Sequence, residues 1–224
     1  MKVLVVGGGG REHALCWKIV QSPLVEEVLC APGNAGTAEI ARNVAVQVSD
    51  LDGLCALARK EAVALVVVGP EDPLCAGLAD RLREAGIAVF GPGRRGAELE
   101  GSKVVAKELL EKHRIPTAQA RVFDRSGLAK GFLESSSTWP VVIKAEGLAA
   151  GKGVYICEDA RAACAAVDAI MEERRHGDAG TRVLIEEFIP GAEASVFAIT
   201  DGNAILILEA VQDHKRIGDG DTGP

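Results

Sequence analysis

Lys144 ends the run "VVIK" and stands directly before "AEGLAAGKGV", a loop that carries Gly147, Gly151, Gly153 and a second lysine, Lys152. Glycines let backbone N–H groups turn toward an anion and a lysine adds a positive charge, so this pattern suits phosphate. It is not a P-loop, because only three residues separate Gly147 from Gly151 and Gly153 stands where that motif needs a magnesium-binding hydroxyl. Ser102 and Lys103 form a further "SK" pair. Lys103, Lys144 and Lys152 are three cations that could converge on one polyphosphate, although each alone is more often a solvated surface lysine. Alternation along "VVIKAE" puts Lys144 on a neighbour-rich face, where a lysine needs a partner anion. "LIEEFIPGAEASV" then sets Glu186 and Glu187 at the end of an apolar strand, with Glu193 after a turn. Such carboxylates could accept hydrogen bonds from a purine amino group or ribose hydroxyls, or could simply be exposed strand-end glutamates.

A second glycine cluster opens the chain. In "VVGGGGREHA" the dinucleotide pattern G-x-G-x-x-G fails in both registers, because Glu12 or His13 falls where the third glycine belongs. Four glycines before a helix, with Arg11 beside them, still make an anion nest better suited to a sugar phosphate than to NAD. A tight strand-to-helix turn without a ligand is the competing reading.

The elements that must position these residues change character along the chain. "KVLVVG", "VEEVLCA", "VAVQV", "ALVVVG" and "IAVFG" are short apolar strands, separated by helical stretches around Ala14–Val20, Leu51–Arg59 and Pro73–Glu84. Strands of that kind belong to a parallel sheet covered on both faces. Residues 1–101 are therefore expected to form a doubly wound α/β domain. Its strand ends carry "GGGGREH", "APGNAGT", "GPEDPL" and "GPGRRG", where such sheets bind ligands. "GSKVVAKELLEKHRIPT" reads as a helix capped by Ser102 and stopped before Pro116. Beyond it an extended "TAQARVF", a helix near Ser126–Glu134, the strand pair flanking the lysine loop, a long helix around Asp159–Arg174, "RVLIEEFIPG" and a hairpin turning at "TDGN" predict an α+β domain over residues 102–224.

Bulk composition narrows the function classes. The 224 residues are 48% hydrophobic, enough for a sizeable core, and the net charge of −7 argues against a general nucleic-acid or anionic-membrane surface. Any anion must be bound locally. Aromatics at 4% leave little for base stacking. Six cysteines without a C-x-x-C pair read as small buried hydrophobes in a reducing cytoplasm, and four scattered histidines make no metal site. No apolar run reaches the ~20 residues of a membrane span.

"GGGGREHA", "PGNAGT", "GPE" with "PL", "GSK", "VIKAEGLAAGKGV", "EEFIPGAEAS" and "QDHKR", in this order, resemble the phosphoribosylamine–glycine ligases, the glycinamide ribonucleotide synthetases of purine biosynthesis. The resemblance implies a Rossmann-like domain followed by an ATP-grasp domain, incomplete at its C-terminus. It implies a cytoplasmic enzyme that uses ATP to join glycine to 5-phosphoribosylamine through glycyl phosphate. Lys103 and Lys144 would contact ATP phosphates, under a lid formed by Gly147 to Gly153 with Lys152. Glu186 and Glu187, with the backbone near Ile189, would hold the adenine edge and Glu193 the ribose. Gly9, Gly10, Arg11, Asn34, Gly36, Thr37 and Glu71 would lie at the phosphoribosylamine side. Asp213, Lys215 and Arg216 would sit where glycine meets the γ-phosphate. Members of the family usually have a second glutamate where this chain has Ala192. They are about twice as long, so the chain is expected to match the N-terminal half, with the magnesium or manganese ligands beyond it, and to be inactive alone. A related ligase with another acceptor and a non-catalytic nucleotide-binding module are the alternatives.

Overall fold

A computed structural model describes residues 1–149, 153–212 and 217–219. The chain divides into two compact units, Met1–Glu187 and Phe188–Pro224.

The first unit begins with a five-stranded parallel sheet of order β3-β2-β1-β4-β5. Its strands are β1 (Lys2–Gly7), β2 (Glu27–Pro32), β3 (Arg42–Asn43), β4 (Leu65–Val68) and β5 (Ala88–Phe90). Helix α1 (Gly10–Ile19) covers one face, where Val3, Val5, Cys16, Val28, Cys30 and Val67 are buried. Helices α2 (Leu51–Lys60), α3 (Glu71–Cys75), α4 (Leu78–Glu84) and α5 (Arg94–Gly101) pack on the other, around Leu4, Leu29, Leu54, Leu78 and Leu82. Side chains alternate across the pleat, so a strand buried on both faces must be apolar at every buried position, as β1 is from Val3 to Val6. The order reverses between β1 and β4, and their carboxyl ends open a crevice there.

Three details depart from the expected elements. The strand pairing covers only Arg42–Asn43; after the Val44 N–H bonds the Cys30 carbonyl, the Val46 N–H turns back to Val44, and "VAVQV" leaves the ladder while still packing on the core. The helix expected over Pro73–Glu84 is two helices broken at Gly77, whose φ of +94° suits glycine. Helix α5 arises from what reads locally as the loop "GPGRRG", because Asp80 of α4 accepts the orphan Arg94 N–H at 2.7 Å.

Helix α6 (Lys103–Lys112) follows, with Ser102 accepting the Val105 N–H at 3.2 Å. A four-stranded antiparallel sheet, order β6-β9-β7-β8, comprises β6 (Ala120–Phe123), β7 (Val141–Ala145), β8 (Val154–Cys157) and β9 (Val183–Glu187). Helices α7 (Ser126–Glu134) and α8 (Ala160–Val167) cover one face around Ile143, Val167, Val183 and Ile185. The long helix expected to Arg174 loosens into a π-turn at Asp168–Glu172. The second unit contains two antiparallel pairs, β10 (Ala194–Ser195) with β13 (Val211–Gln212) and β11 (Ala198–Thr200) with β12 (Ile205–Ile207). No helix among the described residues is long and apolar enough to cross a membrane. All six cysteines are free thiols, four of them buried.

Candidate active site

In the antiparallel sheet Val142 lies opposite Glu186 and Lys144 opposite Leu184. Residues two apart share a face, so Lys144 and Glu186 are diagonal neighbours on the face away from the α7–α8 core. Their side chains meet at 2.6 Å. Helix α6 crosses the same face and brings Lys103 and Lys107, one turn apart, to one side. The Lys107 ammonium reaches the other Glu186 oxygen at 3.2 Å and donates to Thr117 Oγ1 and the Ala118 carbonyl, each at 2.8 Å. Lys107 and Glu186 are buried, whereas Lys144 is partly open. Lys103 donates to the Gly147 carbonyl at 2.8 Å. Burial first, and repulsion from Lys144 second, hold the Lys103 ammonium below its ordinary value of 10.5. These groups line a cleft of about 740 Å³, of the size that holds a small ligand. It is a locally cationic hollow in an acidic chain.

The loop after β7 is fixed at its root. Glu146 accepts from Arg182 through both carboxylate oxygens and from Ser102 Oγ at 3.1 Å, while its backbone carbonyl accepts the Lys103 N–H at 3.0 Å. The Arg182 guanidinium, and then Ser102, hold the Glu146 carboxyl below the usual range against the opposing effect of burial. Gly147 and Gly153 have no room for side chains: a Cβ would lie 3.0 Å from Ala179 at the first and 2.7 Å from the Ala149 Cβ at the second. Gly151 and Lys152 fall outside the described residues, as do Asp213, Lys215 and Arg216.

At the switch point of the parallel sheet, buried Glu12 accepts the Gly9 N–H at 2.7 Å and fills the space between Gly7 and Gly69. Arg11 donates to the Gly69 carbonyl at 3.2 Å and stands 4.0 Å from Glu71. Asn34 donates to the carbonyls of Gly8 and Gly9 at 3.0 and 3.2 Å, and exchanges hydrogen bonds with Thr37, which is fully buried. Gly36 gives way to the His13 ring, 2.5 Å from where a Cβ would stand. Asn34, Gly36 and Thr37 thus shape the loop, while Gly9, Gly10 and Arg11 are exposed beside it.

Lys103, Lys144 and Glu186 come together as one cluster. Glu186 and Glu187 do not, because adjacent strand residues point to opposite faces. Glu187 accepts the Gln119 N–H at 2.8 Å, while both Glu186 oxygens meet lysines. Ile189 and Glu193 belong to the second unit, Ile189 exposed and Glu193 just before β10. Sequence reasoning passed over Lys107, Glu146, Arg182 and Glu12. The four-residue spacing of Lys103 and Lys107 was a usable signal for the first, and the Gly9-x-x-Glu12 capping box for the last. Nothing local marks Glu146 and Arg182 as partners.

A parallel, doubly wound sheet followed by an antiparallel sheet, with a lysine-lined cleft bordered by Leu148, Ala149, Gly153 and Val154, is the architecture of an ATP-grasp protein. Family models match throughout, phosphoribosylglycinamide synthetase N domain over residues 1–100 and the ATP-grasp (A) domain of the same synthetase over 101–224, and the chain belongs to this family. Phosphoribosylamine–glycine ligase of Xanthomonas axonopodis pv. citri is 55% identical over 100% of the chain and 52% of its own length. The crystal structure of that ligase from Thermotoga maritima superposes with a TM-score of 0.82 at 33% identity, covering 100% of this chain and 53% of the other. N5-carboxyaminoimidazole ribonucleotide synthetase from Thermus thermophilus, 19% identical with a TM-score of 0.72 over 98% of this chain and 55% of its own, shares the fold. The chain spans about half the length of the curated relatives it matches.

Proposed function

We propose that this chain supplies the phosphate-gripping and phosphoribosylamine-facing part of a cytoplasmic, ATP-dependent ligase that joins glycine to 5-phosphoribosylamine. Its domains would divide between Gly101 and Ser102. The observation that carries this reading is one of continuity. The lysine cleft and the crevice beside Gly69 and Pro92 are both lined by Arg11, Glu71, Leu99 and Glu100. A polyphosphate against Lys103 and Lys144 and a sugar phosphate at Gly9 to Arg11 would therefore face each other along one trench.

A carboxylate is a poor electrophile, so glycine must first be activated. Its carboxylate oxygen attacks the γ-phosphorus of ATP, the β,γ-bridging P–O bond breaks, and ADP leaves; the phosphoribosylamine nitrogen then attacks the glycyl carbonyl, phosphate departs with the C–O electron pair, and the nitrogen loses a proton. Lys103 and Lys144 neutralise charge on the transferring group, and the hairpin loop excludes water from the acyl phosphate. Little side-chain nucleophilic chemistry is needed, only positioning. The Glu186 carboxylate is committed to lysines, so the backbone after β9 is the better candidate for the adenine edge, with Glu193 for the ribose. Asp213, Lys215 and Arg216 are proposed for the glycine side. Magnesium or manganese would accompany the nucleotide. Among the described residues no cluster of three or more His, Cys, Asp or Glu could hold such an ion.

Calorimetric titration of the chain with ATP, with NADH as control, tests the reading. ATP binding that is lost in Lys144→Ala, without an NADH response, is expected. NADH binding in its place would overturn it.

A further inference from the structure

Lys107 is the one buried lysine or arginine among the described residues, 8% exposed. An ammonium has three N–H donors. Lys107 donates to Thr117 Oγ1 and the Ala118 carbonyl and pairs with Glu186 Oε1 at 3.2 Å, so this enclosed ammonium is committed mainly to protein partners. Lys144 is placed differently. Glu186 Oε2 is its partner among the described residues, and its side chain is 28% exposed toward the cleft. A single carboxylate therefore bridges an enclosed lysine and an open one. The cluster of Lys107, Glu186 and Lys144 carries a net charge of +1; without Lys107 it would be neutral, and Glu186 would be left to Lys144 alone.

We propose that Lys107 is a positioning residue for nucleotide binding: by neutralising Glu186 from behind, it frees the charge of Lys144 for a phosphate. This role rests on the nucleotide reading of the cleft. Lys107 touches no substrate atom and acts only through the shared carboxylate. A purely structural part is the rival, because the same ammonium also ties α6 to the segment entering β6.

Charge balance separates the two. Lys107→Met removes one unit of charge beside the phosphate site and should weaken ATP binding by about 10–100-fold. Lys107→Met combined with Glu186→Gln restores the +1 on Lys144 and should bind ATP within about threefold of the parent, although it has lost two members of the buried network. Affinity would be read by calorimetry and folding by thermal unfolding on the same samples. The double variant can be judged against the parent even where Lys107→Met folds poorly. A double variant as weak as the single one, or a single variant that folds and binds like the parent, would overturn the role while leaving the nucleotide reading intact. A well-folded parent that binds no ATP would overturn both.

Discussion

Lys103 is held where its charge is unfavourable. Its folded-state value lies below 10.5, so the unfolded chain holds this proton more tightly. The charged lysine therefore costs stability below the lowered value, and the cost disappears as pH rises past the ordinary one. Lys103→Met should thus leave the melting temperature unchanged or raised at neutral pH while weakening ATP binding, two readouts that a structural lysine would move together. A bound polyphosphate supplies the missing counter-charge and raises the Lys103 value again. Titrations at alkaline pH in two buffers of different ionisation heat should accordingly show proton uptake on ATP binding. Equal heats in both buffers would count against Lys103 as a phosphate ligand. For Lys144 the need was legible in the sequence, since a lysine at the end of an apolar strand demanded an anion. The anion's identity was not, because Glu186 is supplied by a strand 42 residues further on.

Helix α6 and the β7–β8 hairpin are joined through Glu146. Replacing it with glutamine removes the carboxylate from Arg182 and Ser102, and because Arg182 is 43% exposed the expected loss is about 1 kcal/mol. Glu146 has its carboxyl value lowered in the fold, so this stabilisation is present above the ordinary carboxylate value of 4.5 and is lost as pH falls through the lowered one. The difference in melting temperature between parent and Glu146→Gln should therefore vanish in acid; one that persists there would point to packing instead. At the other sheet Gly69→Ala would set a Cβ 2.1 Å from Glu12 Oε1. The displaced carboxylate would give up the Gly9 N–H, for an expected destabilisation of about 1–3 kcal/mol by thermal unfolding. Element types were readable from capping, as in α6 behind Ser102, and from period, as in α7, whose observed bounds Ser126–Glu134 are those expected. Helix α5 was not, because Asp80, fourteen residues earlier, provides its N-terminal acceptor.

Across the whole molecule, order should follow burial. Strands β1, β7 and β9 are buried within multi-stranded sheets, whereas β11 and β12 form a two-stranded pair with Ile199, Ile205, Leu206 and Ile207 exposed. An isolated pair of strands is marginal in water. Amide exchange measured on this chain should find β1 and β9 opening only with global unfolding and β11–β12 near unprotected, and equal protection would show that the second unit is held as firmly as the first. The sequence by itself determined the two kinds of sheet, the capped helix between them, the glycine loops at the strand ends and the family, because periodicity, caps and ordered motifs are written in neighbouring residues. Only the tertiary structure decided that Glu186 meets Lys144 across the sheet, that Lys107 stands behind Glu186, and that Arg11 and Glu71 line the same cleft as Lys103. Those outcomes depend on strand register, helix crossing and sheet order, which bring together residues far apart in the chain and which no local pattern specifies.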